Sequence, residues 1–264
     1  DKYYLYGTTS IKNQSFGKQS FDVYVSDDLE EWSGPVQVFE SHKEFWGTKQ
    51  FWAPEVYKHN EAYYMFATFN SKTRKRGVQV LISESPLGPF TPHGEPITPE
   101  NWLCLDGTLF IENGTPYMVF CKEWLMTRDG EMWLIELSED LAKPVGDPVK
   151  LFSASEAKWS KPFRYFFKKG NYITDGPYLH RYGADLYILW STNGDKGYCM
   201  GLAKSETGSV YGPWIQLDEP IISNNGGHGM LFSHKQELYL TYHYPNTHRR
   251  ERPYFKKVDF DHLV

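Results

Sequence analysis

Apolar and polar residues alternate along the chain in short runs, and no stretch sustains the three-to-four spacing of an amphipathic helix. The clearest runs are aromatic-rich and end in small or polar residues: Tyr3 to Ser10 (YYLYGTTS), Tyr63 to Ser71 (YYMFATFNS), Tyr117 to Trp124 (YMVFCKEW), Leu186 to Gly194 (LYILWSTNG) and Leu238 to Asn246 (LYLTYHYPN). They recur about every 50 to 70 residues, a period that belongs to repeat architectures. After each comes a second alternating run that breaks into a polar turn, beginning at Val23, Val78, Met132, Cys199 and Tyr254. Before four of the five stands a short run with Gly or Pro beside an acidic residue or His. These runs are WAPEVY from Trp52, LDGTLFI from Leu105, TDGPYL from Thr174 and GGHGMLF from Gly226.

Short strands separated by Asn-Gly, Gly-Pro and Asp-Asp turns predict antiparallel sheets, and repeated small sheets predict blades around an axis. The expectation is an all-β chain forming a five-bladed β-propeller over residues 1–264, one closed array with the WAPEVY-type run as the inner strand of each blade. A β-sandwich is the alternative, but it does not call for so regular a recurrence. The inner strand of the first blade is expected ahead of residue 1. Ser153 to Gly170, the least regular stretch, is expected to be a loop insertion lining one rim.

Inner strands of a propeller run side by side around a channel, so residues remote in sequence can meet there. These strands offer Glu55, Asp106, Asp175 and His228. A carboxylate in a mostly apolar strand is costly to bury unless it is paired or hydrogen-bonded, so three in equivalent places imply use. The sequence has no HExxH and no Gly-rich phosphate loop. Convergent carboxylates then point to acid/base work on a neutral sugar, and glycoside hydrolysis is the reaction they serve best: one acid protonates the leaving oxygen and another carboxylate activates water or attacks carbon.

The runs FWAPEVYKHNEAYYMFATFNS, RGVQVLISESPLGPF, LDGTLFIENGTPYMVF, ITDGPYL and GGHGMLF resemble glycoside hydrolase family 43, propeller enzymes acting mainly on α-L-arabinofuranosides and β-D-xylosides. The resemblance covers nearly the whole chain. It implies cleavage of pentosyl linkages in plant polysaccharides or oligosaccharides by inversion. It also implies that Asp106 modulates the pKa of the acid, that the acid position falls on Asp175, and that the base position falls before residue 1. Asp175 stands where that family commonly has Glu, an arm shorter by roughly 1.5 Å. Glu123, beside Trp124, is therefore the alternative acid. A noncatalytic carbohydrate-binding propeller with a degenerate site is the rival function.

Trp52, Trp124 and Phe51 are the candidate rings to stack on a sugar, and Glu55 is the candidate partner of a substrate hydroxyl. This chemistry requires no cofactor. The resemblance suggests only a structural calcium in the central channel beside His228, although one imidazole cannot define a site that wants six to eight oxygens.

Composition sharpens this picture. Phe, Tyr and Trp make up 17% of the chain, rings that serve β-rich cores and sugars alike. Lys plus Arg number 28 against 33 Asp plus Glu, a net charge of −5, so no basic field gathers nucleic acid. The basic run Lys72 to Arg76 is expected to be solvated. No stretch is long and apolar enough to span a bilayer, so the expected partner is an oligosaccharide or polysaccharide, not nucleic acid or membrane. Three cysteines, Cys104, Cys121 and Cys199, have no metal-ligand spacing and read as buried thiols. The compartment stays open, with a secreted or periplasmic location favoured over the cytoplasm.

Overall fold

A computed structural model describes residues 2–8, 19–248 and 250–264. Asp1, Thr9 and Ser10, the last two at the end of the first predicted aromatic strand, lie outside the described residues. Five successive antiparallel sheets follow one another along the chain, each with sequential strands as neighbours. The first holds Tyr3–Thr8, Ser20–Ser26 and Ser33–Glu40. The second holds Lys49–His59, Ala62–Asn70, Gly77–Ser83 and Thr91–Pro92. Cys104–Glu112, Thr115–Lys122, Glu131–Leu137 and Pro144–Ser153 form the third, and Asp175–Tyr182, Asp185–Gly194, Gly197–Ser205 and Trp214–Gln216 the fourth. The fifth is Gly227–His234, Glu237–Tyr244 and Arg252–Lys257. This is the five-bladed β-propeller that the repeat predicts, with the aromatic run of the second to fifth sheets as the strand next to a Gly- or Pro-bearing one.

The chain divides into two compact units: residues 1–109 with 137–145, and residues 110–136 with 146–264. In the first unit the core is built from phenylalanines. Phe51 and Phe69 meet edge to face with centroids 4.7 Å apart, Phe45 and Phe69 at 4.8 Å, and Phe21 and Phe39 join the same cluster. Such edge-to-face pairs add to the gain from burial alone. Gly47 passes so close that a Cβ there would lie 2.8 Å from both Phe45 and Phe69, so only glycine is accommodated. Alternation along Ala62–Asn70 sends Met65, Ala67 and Phe69 into this core and Phe66 and Thr68 to the opposite face, both of which are buried.

In the second unit, Leu189, Met200 and Leu202 of the fourth sheet pack with Leu231 and Leu240 of the fifth and with Phe260. Trp190 is fully buried and lies 4.6 Å from the Trp159 ring. Trp159 belongs to the stretch expected to be a rim loop, and here the structure corrects the sequence. A Cβ on Gly201 would come within 2.4 Å of the Trp159 ring, so that glycine opens the socket in which Trp159 sits, with its Nε1 donating to the Leu217 carbonyl at 3.0 Å. The same stretch carries a 3-10 turn, Ala154–Glu156, and runs into a hairpin, Phe163–Tyr165 with Lys168–Asn171.

Two further expectations change. Phe51 has no exposed surface; it is a core ring and does not reach a sugar. The run Lys72 to Arg76 is not simply solvated, because Arg74 lies over Trp46 at 5.6 Å and the buried Arg76 over Trp52 at 4.5 Å. The three cysteines are buried. No helix among the described residues is long and apolar enough to cross a membrane.

Truncating Phe51 to Ala is expected to cost about 3–5 kcal/mol of stability, as for other buried aromatics. A lower urea midpoint at unchanged slope would show this. Full stability with weakened sugar binding would return the ring to the substrate.

Candidate active site

In the first unit the inner strand Lys49–His59 slips register twice, between Lys49 and Trp52 and again between Trp52 and Glu55. Gln50 and Ala53 sit at φ of 55° and 47°, in the left-handed region. Bulges of this kind re-aim side chains, and here they turn Trp52 outward, leaving it 39% exposed with Arg76 stacked on its face. Arg76 Nε and Nη2 also donate to Gln50 Oε1 at 3.2 and 3.0 Å.

Past the second bulge, Glu55 Oε1 accepts from the Tyr57 hydroxyl and from Thr108 Oγ1, the latter at 3.2 Å. The two hydroxyls are themselves 2.8 Å apart. Glu55 keeps some solvent contact along its length, but its carboxyl is enclosed, and burial pushes its pKa from 4.5 up to about 7. The hydrogen bonds from Tyr57 and Thr108 pull the other way, and the charge of Asp106 adds to the rise. Asp106, two residues before Thr108, is 7% exposed and held at φ 56°. Its amide donates to Thr68 Oγ1 at 2.9 Å. The structure thus brings Glu55 and Asp106 together.

In the second unit Asp175 opens the strand Asp175–Tyr182 opposite Ser191, and the register slips before Tyr178. The Tyr198 hydroxyl donates to Asp175 Oδ2 at 3.1 Å. Gly176, at φ 50°, lies against the His228 ring, where a Cβ would meet it at 2.6 Å. His228 is itself left-handed, at φ 52°, and its amide donates to Ser191 Oγ at 2.8 Å. Beyond it His243 lies 6.4 Å away, ring to ring, and stacks on Tyr198 at 5.5 Å. Burial first, then the neighbouring His228, holds the His243 pKa below its ordinary value. Asp175 and His228 are therefore brought together as well.

Glu123 is buried at the start of a single helical turn, Trp124–Thr127, where its carbonyl accepts from the Met126 and Thr127 amides. Trp124 leads that turn and packs edge-on against Phe163 and Tyr165 at 4.8 and 4.9 Å. The calcium expectation can be tested against the donor set. Among the described residues no three His, Cys, Asp or Glu side chains are close enough to share a metal. The neighbourhood of His228, with a second imidazole and a phenol, does not fit a cation that wants six to eight oxygens.

Sequence reasoning missed four supporting residues. Tyr57, Thr108 and Tyr198 carry the hydroxyls that hold the two carboxylates, and Arg76 braces Trp52. A signal existed only for Thr68 and Ser191, which occupy the same position in successive copies of the aromatic strand (YMFAT and YILWS).

Carboxyl groups held by hydroxyls on strands of small repeated sheets suit a sugar-processing propeller, and comparison with known proteins decides the family. The model of Glycosyl hydrolases family 43 matches residues 1–259. This chain belongs to glycosyl hydrolase family 43. It is a glycoside hydrolase. The solved structure of an endo-arabinase from Bacteroides thetaiotaomicron VPI-5482 is 40% identical, with a TM-score of 0.90 over 98% of this chain and 89% of that one. A xylosidase/arabinosidase 43A of Humicola insolens is 24% identical over 233 residues, 73% of this chain and 68% of its own length. An alpha-L-arabinofuranosidase 43 of the same organism is 24% identical over 204 residues, and the match spans 40% of its length.

The raised pKa of Glu55 makes stability depend on pH in this family 43 chain. Between about pH 4.5 and 7 folded Glu55 keeps a proton that the unfolded chain has released. Its contribution is thus complete at the acid end and is lost as pH rises through about 7. Glu55→Gln, neutral throughout, is expected to flatten this part of the stability profile. Urea midpoints of both proteins across the range check it; parallel profiles would mean that Glu55 titrates normally.

Proposed function

We propose that this glycoside hydrolase cleaves pentosyl linkages, α-L-arabinofuranosyl or β-D-xylosyl, in plant polysaccharides or oligosaccharides, with inversion at the anomeric carbon. The observation that supports it most is the seating of Asp106 and Asp175. Each stands on the inner strand of its sheet and is left-handed or precedes a left-handed residue; the Asp106 amide donates to Thr68 Oγ1 of the preceding sheet, and the Tyr198 hydroxyl, two strands away in the same sheet, donates to the Asp175 carboxylate. The arabinanase and xylosidase/arabinosidase activities in the names of the relatives point to the same sugars.

Asp175 is the proposed acid. Tyr198 orients its carboxyl, and protonation of the glycosidic oxygen lets the rest of the substrate leave as an alcohol while water attacks the anomeric carbon, through an oxocarbenium-like transition state. Asp106 is the proposed modulator, whose negative charge favours the protonated form of a neighbouring acid. Inversion further requires a base that activates water about 6.5–9.5 Å from the acid. Glu123, buried beneath a helical turn, is the weaker candidate for the acid. Glu55, which retains its proton toward neutrality, is suited to a substrate hydroxyl as donor or acceptor.

Asp106→Asn and Asp175→Asn, made separately, are each expected to lower turnover of 4-nitrophenyl α-L-arabinofuranoside or β-D-xyloside by about 100-fold or more. Unchanged turnover in both variants defeats the assignment. Proton NMR of the first-formed sugar reads the stereochemistry, and a product of retained configuration would rule out inversion.

A further inference from the structure

Residues 163–171 form an aromatic hairpin that the catalytic assignment does not use. Tyr165 pairs with Lys168, so Phe166 and Phe167 are the two central residues of the turn. Two-residue hairpin turns favour Asn and Gly because they demand left-handed backbone. Here Phe166 adopts φ 51°, and Phe166 and Phe167 are 75% and 92% exposed. A bulky ring at a strained turn position, projecting into water, breaks both the turn rule and the burial rule, and such breaks concentrate where a site is built.

The hairpin walls a cleft of about 290 Å³ together with the turn that begins at Trp124. Trp124, Arg128, Tyr165, Phe166, Phe167 and Asn171 line it. The walls are braced. Arg128 Nη2 donates to the Lys169 carbonyl at 2.6 Å, Arg164 Nε to the Phe166 carbonyl at 2.8 Å, and Asn171 Nδ2 to the Phe163 carbonyl at 3.3 Å. The Tyr172 and Gly130 amides cross-link the two walls, donating to the Arg128 and Tyr172 carbonyls at 2.8 and 2.9 Å. From Asn171 the chain reaches Asp175 in four residues, at most about 14 Å even if fully extended.

From this geometry we infer that the cleft between the Trp124 turn and the Phe166–Phe167 hairpin is a distal sugar subsite, binding a unit of a linear neutral oligosaccharide whose scissile bond lies at Asp175. The inference rests on the function proposed above and adds to it that the substrate is a chain and not a lone terminal pentose. Aromatic walls with a few fixed polar groups are the usual make-up of small-ligand clefts, and this one is at the small end of their size range. A sugar ring offers C–H faces to such walls and hydroxyls to the N–H groups of Arg128 other than the Nη2 bonded to Lys169. A polyanion is disfavoured, since Arg128 is engaged with a carbonyl and the chain carries a net charge of −5. The concave shape suits a ring-sized ligand better than a flat protein surface.

The test compares wild type with Phe167→Ala, whose exposed side chain removes no core packing. It also uses the double variant Phe166→Ala/Phe167→Ala and, as a control that does not line the cleft, the half-exposed Leu87→Ala. The readout is kcat/KM on α-1,5-arabinohexaose and β-1,4-xylohexaose divided by kcat/KM on the 4-nitrophenyl pentoside. For the preferred hexasaccharide this ratio is expected to fall about tenfold in the hairpin variants, chiefly through KM, as loss of ring contacts allows. In Leu87→Ala it should hold. An unchanged ratio in both hairpin variants overturns the subsite. If wild type hydrolyses the hexasaccharides but not the pentosides, kcat/KM on the hexasaccharide is compared directly, a fall of about tenfold in the hairpin variants supporting the subsite and no change overturning it. If it hydrolyses neither, the function proposal fails separately, and calorimetric titration with the same hexasaccharides decides the cleft: weaker binding in the hairpin variants supports it and equal binding overturns it. A wild-type dimer that the hairpin variants turn into monomer would assign the face to a second copy and overturn it too.

Discussion

In each unit the neighbourhood of the candidate carboxylate depends on a residue held in left-handed backbone and on the hydroxyl that receives its amide. Asp106 and His228 adopt φ of 56° and 52°, a conformation costing roughly 1–2 kcal/mol for a residue with a Cβ. Each directs its N–H to a buried hydroxyl, Thr68 for Asp106 and Ser191 for His228, and a bond of this kind returns about 0.5–1.5 kcal/mol net. The two terms are comparable, so the hydroxyl decides whether the distorted strand is tolerable. The distortion matters because regular alternation would fix a side chain to one face of its sheet; a left-handed residue releases it from that pattern. Thr8 makes a related contact, donating to the Phe51 carbonyl at 2.6 Å. Position five of the YLYGT, YMFAT and YILWS runs is thus a recurring clasp between one sheet and the inner strand of the next.

The clasp hydroxyls act alongside a second constraint, exclusion of water. At Glu55 two hydroxyl donors favour the anion and still lose to burial, which pushes the pKa up to about 7; the charge of Asp106 is the smallest contribution. The proton-holding character of this carboxyl therefore comes mainly from its enclosure by the second sheet and the start of the third, and only secondarily from its acidic neighbour. In the second unit the same principle acts on an imidazole, with burial holding the His243 pKa below its ordinary value beside His228. The two carboxylate neighbourhoods use different supporting residues: phenol and threonine around Glu55, phenol and stacked imidazole around Asp175.

Much of this was legible in the sequence because the repeat is carried by hydrophobic alternation, which is a local property. The inner strands expected at Trp52, Leu105, Thr174 and Gly226 and the aromatic strands beside them match the observed sheets. What alternation cannot show is which of two adjacent rings faces inward once a strand bulges. Phe51 and Trp52 look equivalent in the sequence, yet the double register slip buries the first and exposes the second. Nor can alternation show pairings between distant segments. Trp159 reads as part of a loop because its socket is a glycine, Gly201, some forty residues later in the chain, and Arg76 reads as solvated because its partner is a bulged Trp. Tyr57, Thr108 and Tyr198 are ordinary strand residues by composition, and only the fold turns their hydroxyls toward carboxylates.

The aromatic excess resolves into groups that obey opposite rules. Phe21, Phe39, Phe45, Phe51 and Phe69 bury their rings against one another, and their value lies in the area removed from water and in edge-to-face order. Phe166 and Phe167 gain almost nothing from folding, since they remain largely exposed and one of them is strained. A turn of Asn-Gly would join Tyr165 to Lys168 with less strain and with no apolar surface left in water. Stability therefore gives no reason for this pair. A reason must come from something the rings meet outside the folded chain, and a sugar chain reaching Asp175 past Trp124 is such a partner, because its flat C–H faces match ring walls that the hydrogen bonds of Arg128, Arg164 and Asn171 already hold in place.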